Sequence, residues 1–260
     1  MIKFCNLFSG SSGNSTYIET ETAKILIDAG VSCARITRAL ETLGINFSDI
    51  DAILITHEHT DHTKGLTTIA KKFNTPIYAT EKTWSQMCSL NVCDSCRYTF
   101  KPNINFEIGD ATVHPFSIPH DAIDPCGFSI LSNGKKVTVA TDIGHVEERL
   151  ITEMTGSDVL LIESNYDNDT LLCGAYPYFL KKRISSDIGH LSNESTSKLV
   201  KTLYENGVNK FILGHLSKEN NFPELAYQTV LNELNSSTIN VPFHLSVAGR
   251  DSVDEILEIV

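Results

Sequence analysis

Apolar residues recur in two rhythms along the chain. Near the start, "IKFCNLF", "STYIET" and "KILIDAG" are short runs joined by the turn-rich stretches "SGSSGNS" and "ETETA", and this spacing predicts three strands. From Ser32 the period lengthens: Ile36, Ala39, Leu40 and Leu43 fall on one helical face, with Ser32 as N-cap and Gly44 as the stop. "DAILIT" then runs apolar without a break, the pattern of a strand covered on both faces. Further strands are predicted at "ATVHPFSI", "CGFSILS", "KKVTVAT" and "SDVLLIE". The last third carries helices at "SNESTSKLVKTLYENG" and "PELAYQTVLNELN" with the strand "NKFIL" between them, and Ser192 or Asn193 as cap of the first. Without an internal repeat or a low-complexity linker, the expectation is one α/β domain over residues 1–260.

Composition narrows the class. An apolar content of 41% in 260 residues is ample for a buried core and excludes a disordered chain. No apolar stretch approaches the roughly 18 to 20 residues that span a bilayer, and Met1 to Phe8 lacks the features of a signal peptide, so the expected location is the cytoplasm, with no membrane partner. Seven scattered cysteines fit a reducing compartment better than a disulfide framework. The single C-x-x-C among Cys88, Cys93 and Cys96 lacks a second pair at zinc-finger spacing and is read as packed or exposed thiols. A formal charge of −11 argues against a sequence-independent nucleic-acid binder. The basic runs Lys71-Lys72, Lys135-Lys136 and Lys181-Lys182-Arg183 are read as solvated surface.

The chemistry sits at strand ends. "AILIT" runs into His57, "VTVAT" into Asp142 and "FILG" into His215, and in open α/β sheets the functional crevice lies beyond the carboxyl ends of the strands. In "THEHTDH", His57 and His59 are two apart, so in extended backbone their rings point the same way and can grip one ion; Asp61 and His62 follow just beyond. Imidazole and carboxylate donors suit zinc, manganese or iron. The H-x-H-x-D-H pattern should arise by chance roughly once in several thousand chains of ordinary composition. His120, in "IPHDAIDP" at a strand end, supplies the third imidazole that such a site needs, whereas His114, His145 and His244 are read as packing or surface residues. The stretch "SGSSGNS" lacks the lysine of a P-loop; its hydroxyls and backbone N–H groups make Ser11, Ser12 and Asn14, with Asn193, substrate-binding candidates.

"THEHTDH", "PHD", "TDIG" and "GHLS", in that order and over essentially the whole chain, resemble the metal motifs of the metallo-β-lactamase fold superfamily. "SGSSGNSTYIE" and "IESNYDNDTLLCGAYPYFLKKRISSDIGHLSNESTSKL" resemble the YycJ (WalJ) family of bacterial hydrolases within it. The resemblance implies a four-layer αββα sandwich with two divalent ions, His57, His59 and His120 holding the first, Asp61, His62 and His215 the second, and Asp142 bridging. It places Asp28 behind the metal loop. "GHLS" occurs twice; His215, directly after a strand, resembles the final ligand, while His190, before a helix, resembles the catalytic histidine of ribonuclease Z-like enzymes. Glu163, ending "VLLIE", is a candidate to orient His190 or a ligand. His59 stands where flavodiiron relatives carry glutamate, which disfavours a redox role.

Two ions side by side would activate water at neutral pH and clamp the attacked group, so hydrolysis is the expected reaction, with His190 as proton donor and Asp61 a candidate to orient the nucleophile. The expected substrate, implied by the resemblance, is a phosphodiester in DNA, cleaved 5′-to-3′ from an end. The alternatives are a small cyclic or modified nucleotide diester, a thioester or lactam, and a metal-binding regulator without turnover.

Overall fold

The first three predicted strands form as expected in the computed structural model, which describes residues 1–260. β1 (Ile2–Phe8), β2 (Ser15–Glu19) and β3 (Lys24–Ile27) pair antiparallel in sequence order, with a bulge in β1 between Asn6 and Phe8. α1 (Cys33–Thr42) begins where Ser32 accepts from the Arg35 N–H, buries Cys33, Ile36, Ala39 and Leu40, and stops at Gly44, whose φ of 75° favours glycine. From β3 the sheet changes sense. β4 (Ala52–Leu54) adds parallel to β3, the loop-born turn α2 (Thr60–Thr63) and α3 (Leu66–Phe73) follow, and β5 (Ile77–Thr80), α4 (Glu81–Gln86) and the parallel β6 (Arg97–Phe100) complete the run. β7 (Phe106–Ile108), β8 (Ala111–Ser117) and β9 (Cys126–Ser132) form an antiparallel meander.

The chain packs as two compact units that interleave along the sequence. All the elements above belong to the first, which holds residues 1–117, 122–135 and 249–260. The second holds residues 118–121 and 136–248. Its frame is four parallel strands, β10 (Lys135–Ala140), β11 (Val159–Glu163), β12 (Lys210–Gly214) and β13 (His244–Val247). Between them run α5 (Glu148–Met154), α6 (Asn168–Cys173), α7 (Tyr178–Ile184), α8 (Asn193–Glu205) and α9 (Pro223–Asn235). Ser192 caps α8 through the Ser195 N–H at 3.1 Å. β14 (Leu257–Ile259) returns to the first unit beside β1.

Register decides what the second unit presents. Ala140, Ile162 and Leu213 lie in one row across β10, β11 and β12. Two residues on, the carboxyl ends therefore bring Asp142 and His215 level with each other on either side of Ser164, as parallel strands of matched length must. Strands β5, β6, β7, β13 and β14 were not expected; each is three or four residues long, too short for alternation to register. Cys93 and Cys96 depart from the expected free thiols and are joined as a disulfide. No helix is long and apolar enough to cross a membrane.

Candidate metal centre

In the first unit the loop after β4 gathers imidazoles. His57 Nε2 and His59 Nδ1 face one another at 2.9 Å, and His57 is almost wholly buried. Behind them Asp28 accepts from the Thr56 N–H at 2.9 Å, from the Thr56 hydroxyl and, at 2.7 Å, from His62 Nδ1. Because the Thr56 hydrogen goes to Asp28, its oxygen is left to accept from His57 Nδ1, 3.0 Å away. One threonine and one carboxylate thereby fix the inner nitrogen of two rings and leave their Nε2 atoms directed away, the second-sphere arrangement that sets a ligand's tautomer. His62 is fully buried; its Nε2 lies 3.5 Å from Asp61 Oδ2 and receives the Asn14 amide at 3.1 Å. Gly30 lets the backbone of the β3–α1 loop run against this turn: a Cβ there would lie 1.6 Å from the Asp61 carbonyl oxygen.

The second unit offers a different set. Asp142 Oδ1 is 3.3 Å from His215 Nε2, 3.7 Å from His120 Nε2 and 3.8 Å from His190 Nδ1. Asp142, Glu163, His190 and His215 place one donor atom each within 4.8 Å of one another. Two of them are committed to each other. Glu163, fully buried, accepts from His190 Nδ1 at 2.7 Å through one oxygen and from the Ile143 and Leu191 N–H groups through the other. Burial works against a charged His190 ring, but the adjoining Glu163 carboxylate, by charge and hydrogen bond, and Asp142 outweigh it and push its pKa up to about 9. His120 donates from Nδ1 to the Gly189 carbonyl at 2.9 Å and keeps Nε2 for the Asp142 side. Gly189 is required there, since a Cβ would meet the Ile184 and Arg183 carbonyl oxygens at 2.2 and 2.3 Å. A cavity of about 410 Å³ opens beside His190, lined among others by Tyr166, Ser185, Ser195, Lys198 and Leu199.

Six non-glycine residues have left-handed backbones. Asn74, Asn103 and Asn133 are turn asparagines, an ordinary place for this conformation; the others are Asp28 (φ 64°), Asp142 (φ 63°) and His215 (φ 54°), each just past a strand. The same reversal at three strand ends turns a donor or its anchor out of the sheet.

The remaining candidates are dispersed. Ser11 and Ser12 are exposed on the β1–β2 turn, while Asn14 points inward to the Asp61 carbonyl and His62. Asn193 is fully buried, its amide exchanging hydrogen bonds with that of Asn221 and accepting from the Ser164 hydroxyl. His114 bonds Asn105, His145 bridges the Asp187 carbonyl and Glu147, and His244 is exposed, so these three are surface residues as expected. The motifs "THEHTDH" and "PHD" contain Thr56 and Asp121 without assigning either a role; Asp121 lies 3.3 Å from His120 and receives Arg183 Nε. Both adjoin a motif histidine, and that adjacency was the available signal.

Both donor sets, buried nitrogens and carboxylate oxygens with their reverse sides already bonded, fit a divalent metal. Residues 23–216, from before Asp28 through His215, match the β-lactamase superfamily domain. Over 99% of the chain and 98% of the relative, the sequence is 39% identical to exodeoxyribonuclease WalJ of Streptococcus pneumoniae. Over 92% of each it is 36% identical to exodeoxyribonuclease YycJ of Bacillus anthracis. The chain belongs to the WalJ/YycJ family of metallo-β-lactamase-fold hydrolases. Among solved structures, the metallo-β-lactamase fold protein YhfI of Bacillus subtilis covers 98% of this chain and 100% of its own, with a TM-score of 0.73 at 15% identity. The expected αββα fold is therefore the fold of this WalJ/YycJ family member.

Proposed function

We propose that this chain is a divalent-metal-dependent exodeoxyribonuclease that hydrolyses phosphodiester bonds from a DNA end, in its sharpest form 5′-to-3′. The observation that carries the proposal is likeness to two named exodeoxyribonucleases along nearly the whole chain. His57, His59 and His120 would hold one ion, Asp61, His62 and His215 a second, with Asp142 shared, and the donor types suit zinc, manganese or iron. Bound there, such ions supply Lewis acidity, lowering the pKa of water and neutralising charge on the attacked phosphate.

The chain's own residues do the rest. The buried Glu163 carboxylate holds His190 Nδ1 and favours the protonated ring, so that Nε2–H is the proton available to a leaving oxygen. Asp61, intermediate in burial and 3.5 Å from His62 Nε2, is the carboxylate assigned both to bind and to orient the attacking water. The two units interleave along the sequence, which favours one working domain over residues 1–260. A cytoplasmic setting is part of this reading: five of the seven cysteines are free, set against the one Cys93–Cys96 disulfide.

End-labelled DNA, incubated with metal-loaded protein in manganese or zinc, should release mononucleotides stepwise from the 5′ end. Protein that leaves DNA intact yet cleaves a cyclic nucleotide or a thioester would replace this reading with the corresponding alternative.

A further inference from the structure

α7 has two unlike faces. Leu180 and Ile184, four apart, pack with Tyr166, Leu171 and Tyr176 in a small apolar cluster, and Lys181 Nζ donates to the Leu172 carbonyl at 2.6 Å, so the helix is pinned to α6. On the opposite face Tyr178 and Phe179 are 80% and 73% exposed, with Lys182 one turn further along; Leu172, at the end of α6, is 72% exposed. Three large apolar side chains left so open on two helices anchored to each other mark an interaction surface.

Charge and position indicate the occupant. Residues 172–186 carry Lys181, Lys182 and Arg183 and no carboxylate, in a chain of net charge −11. Arg183 is engaged by Asp121, which leaves the exposed Lys182 ammonium and the half-buried Lys181 beside the aromatic rings. A hollow of about 340 Å³ runs along this face between Leu172, Tyr178, Lys181, Lys182 and Ser185, with Asp169 as the one carboxylate in its wall. Ser185 also lines the cavity beside His190, so the two hollows share a wall. A twofold contact with a second copy would set these same lysines against each other, whereas a nucleic-acid strand brings phosphates to the lysines and flat bases to the rings.

We propose that the outer face of α7 is a platform for single-stranded DNA, with bases stacking on Tyr178 and Phe179, phosphates lying against Lys182 and Lys181, and the strand passing Ser185 towards His190. This rests on the deoxyribonuclease reading above. Stacking on an aromatic ring is worth on the order of tenfold or more per base.

The test uses full-length, metal-loaded protein, a 5′-labelled single-stranded oligonucleotide of about 20 nucleotides, and bis(p-nitrophenyl) phosphate, a diester with no base to stack. Tyr178→Ser with Phe179→Ser should raise KM for the oligonucleotide about tenfold or more and leave hydrolysis of the small diester within about twofold; Tyr178→Trp with Phe179→Trp should restore KM. Lys182→Glu should raise KM by a smaller factor and reduce the slope of log affinity against log salt by roughly 0.7. Unchanged KM in the serine variant, with wild type digesting DNA, overturns the platform alone. Wild type that neither binds nor digests DNA overturns the parent reading and the platform together. A wild-type dimer that the serine variant converts to a monomer gives the face to a second copy and overturns the platform.

Discussion

The two donor regions are assembled in opposite ways. In the first unit His57, His59, Asp61 and His62 come from six consecutive positions of one loop, and a hydroxyl, an amide and a single carboxylate behind them fix the rings. In the second unit the donors are drawn from residue 120 to residue 215, and three carboxylates, Asp121, Asp142 and Glu163, stand among the imidazoles. Spacing along the chain decides which rings meet in the first. Strand register decides it in the second, where a slip of one residue in β12 would carry His215 out of the row it shares with Asp142. The electrostatics differ in degree: Glu163 and Asp142 both favour a charged His190 in the second set, while in the first the Asp28 carboxylate bonds His62 and the neutral Thr56 and Asn14 supply the other contacts.

The largest expected effects come from breaking either region at a donor. His57→Ala or Asp142→Asn should abolish hydrolysis together with metal content, read by elemental analysis of protein purified without chelators. An Asp142→Asn protein that keeps full activity would return the second region to a structural or regulatory role. Next, His190→Ala should slow turnover by about 10² to 10⁴-fold with metal retained. Loss of an ion in that variant would exchange the roles of His190 and His215.

Smaller effects sharpen the contrast between direct donors and their anchors. Thr56→Val keeps the shape but removes the hydroxyl that Asp28 and His57 share, and should weaken metal affinity about 10- to 100-fold, measured by chelator competition. The equivalent step in the second unit, Glu163→Gln, should lower kcat by more than it lowers metal content, because Glu163 bonds His190 and backbone N–H groups.

The smallest expected effect on activity lies away from both regions. Asp110 accepts from Thr20, Thr22 and Ser132, and although burial works to raise its pKa, these hydrogen bonds hold it well below the usual carboxylate range. A depressed pKa stabilises the fold above the unfolded value of about 3.9, and that contribution fades as pH falls towards the folded pKa. Asp110→Ala should therefore lower stability at pH 7, by an amount that solvent screening at this solvent-accessible site keeps small, with the gap to wild type narrowing below about pH 4 in denaturant titrations. Its kcat should stay at the wild-type level.

The same contrast explains what could be read in advance. Long elements with strong caps, such as α1 behind Ser32 and α8 behind Ser192, were legible because side-chain period and capping chemistry are local. The imidazole loop was legible for the same reason. The strand-end positions of Asp142 and His215 could be noted, but their levelling depends on register across β10, β11 and β12, which no single segment encodes. Nothing in the order of residues marks Thr56 as the shared partner of Asp28 and His57, since its role needs β3 and β4 side by side. The disulfide between Cys93 and Cys96 escaped because one C-x-x-C is equally compatible with free thiols.

The left-handed backbones at Asp28, Asp142 and His215 also bear on how the protein ages under selection. Each such residue strains the chain by something on the order of 1 to 3 kcal/mol, a burden that glycine at the same place would lift. Libraries sorted only for heat resistance should accordingly shed the Asp142 and His215 side chains early, yielding sturdier and silent descendants, but keep Asp28, whose carboxylate holds Thr56 and His62.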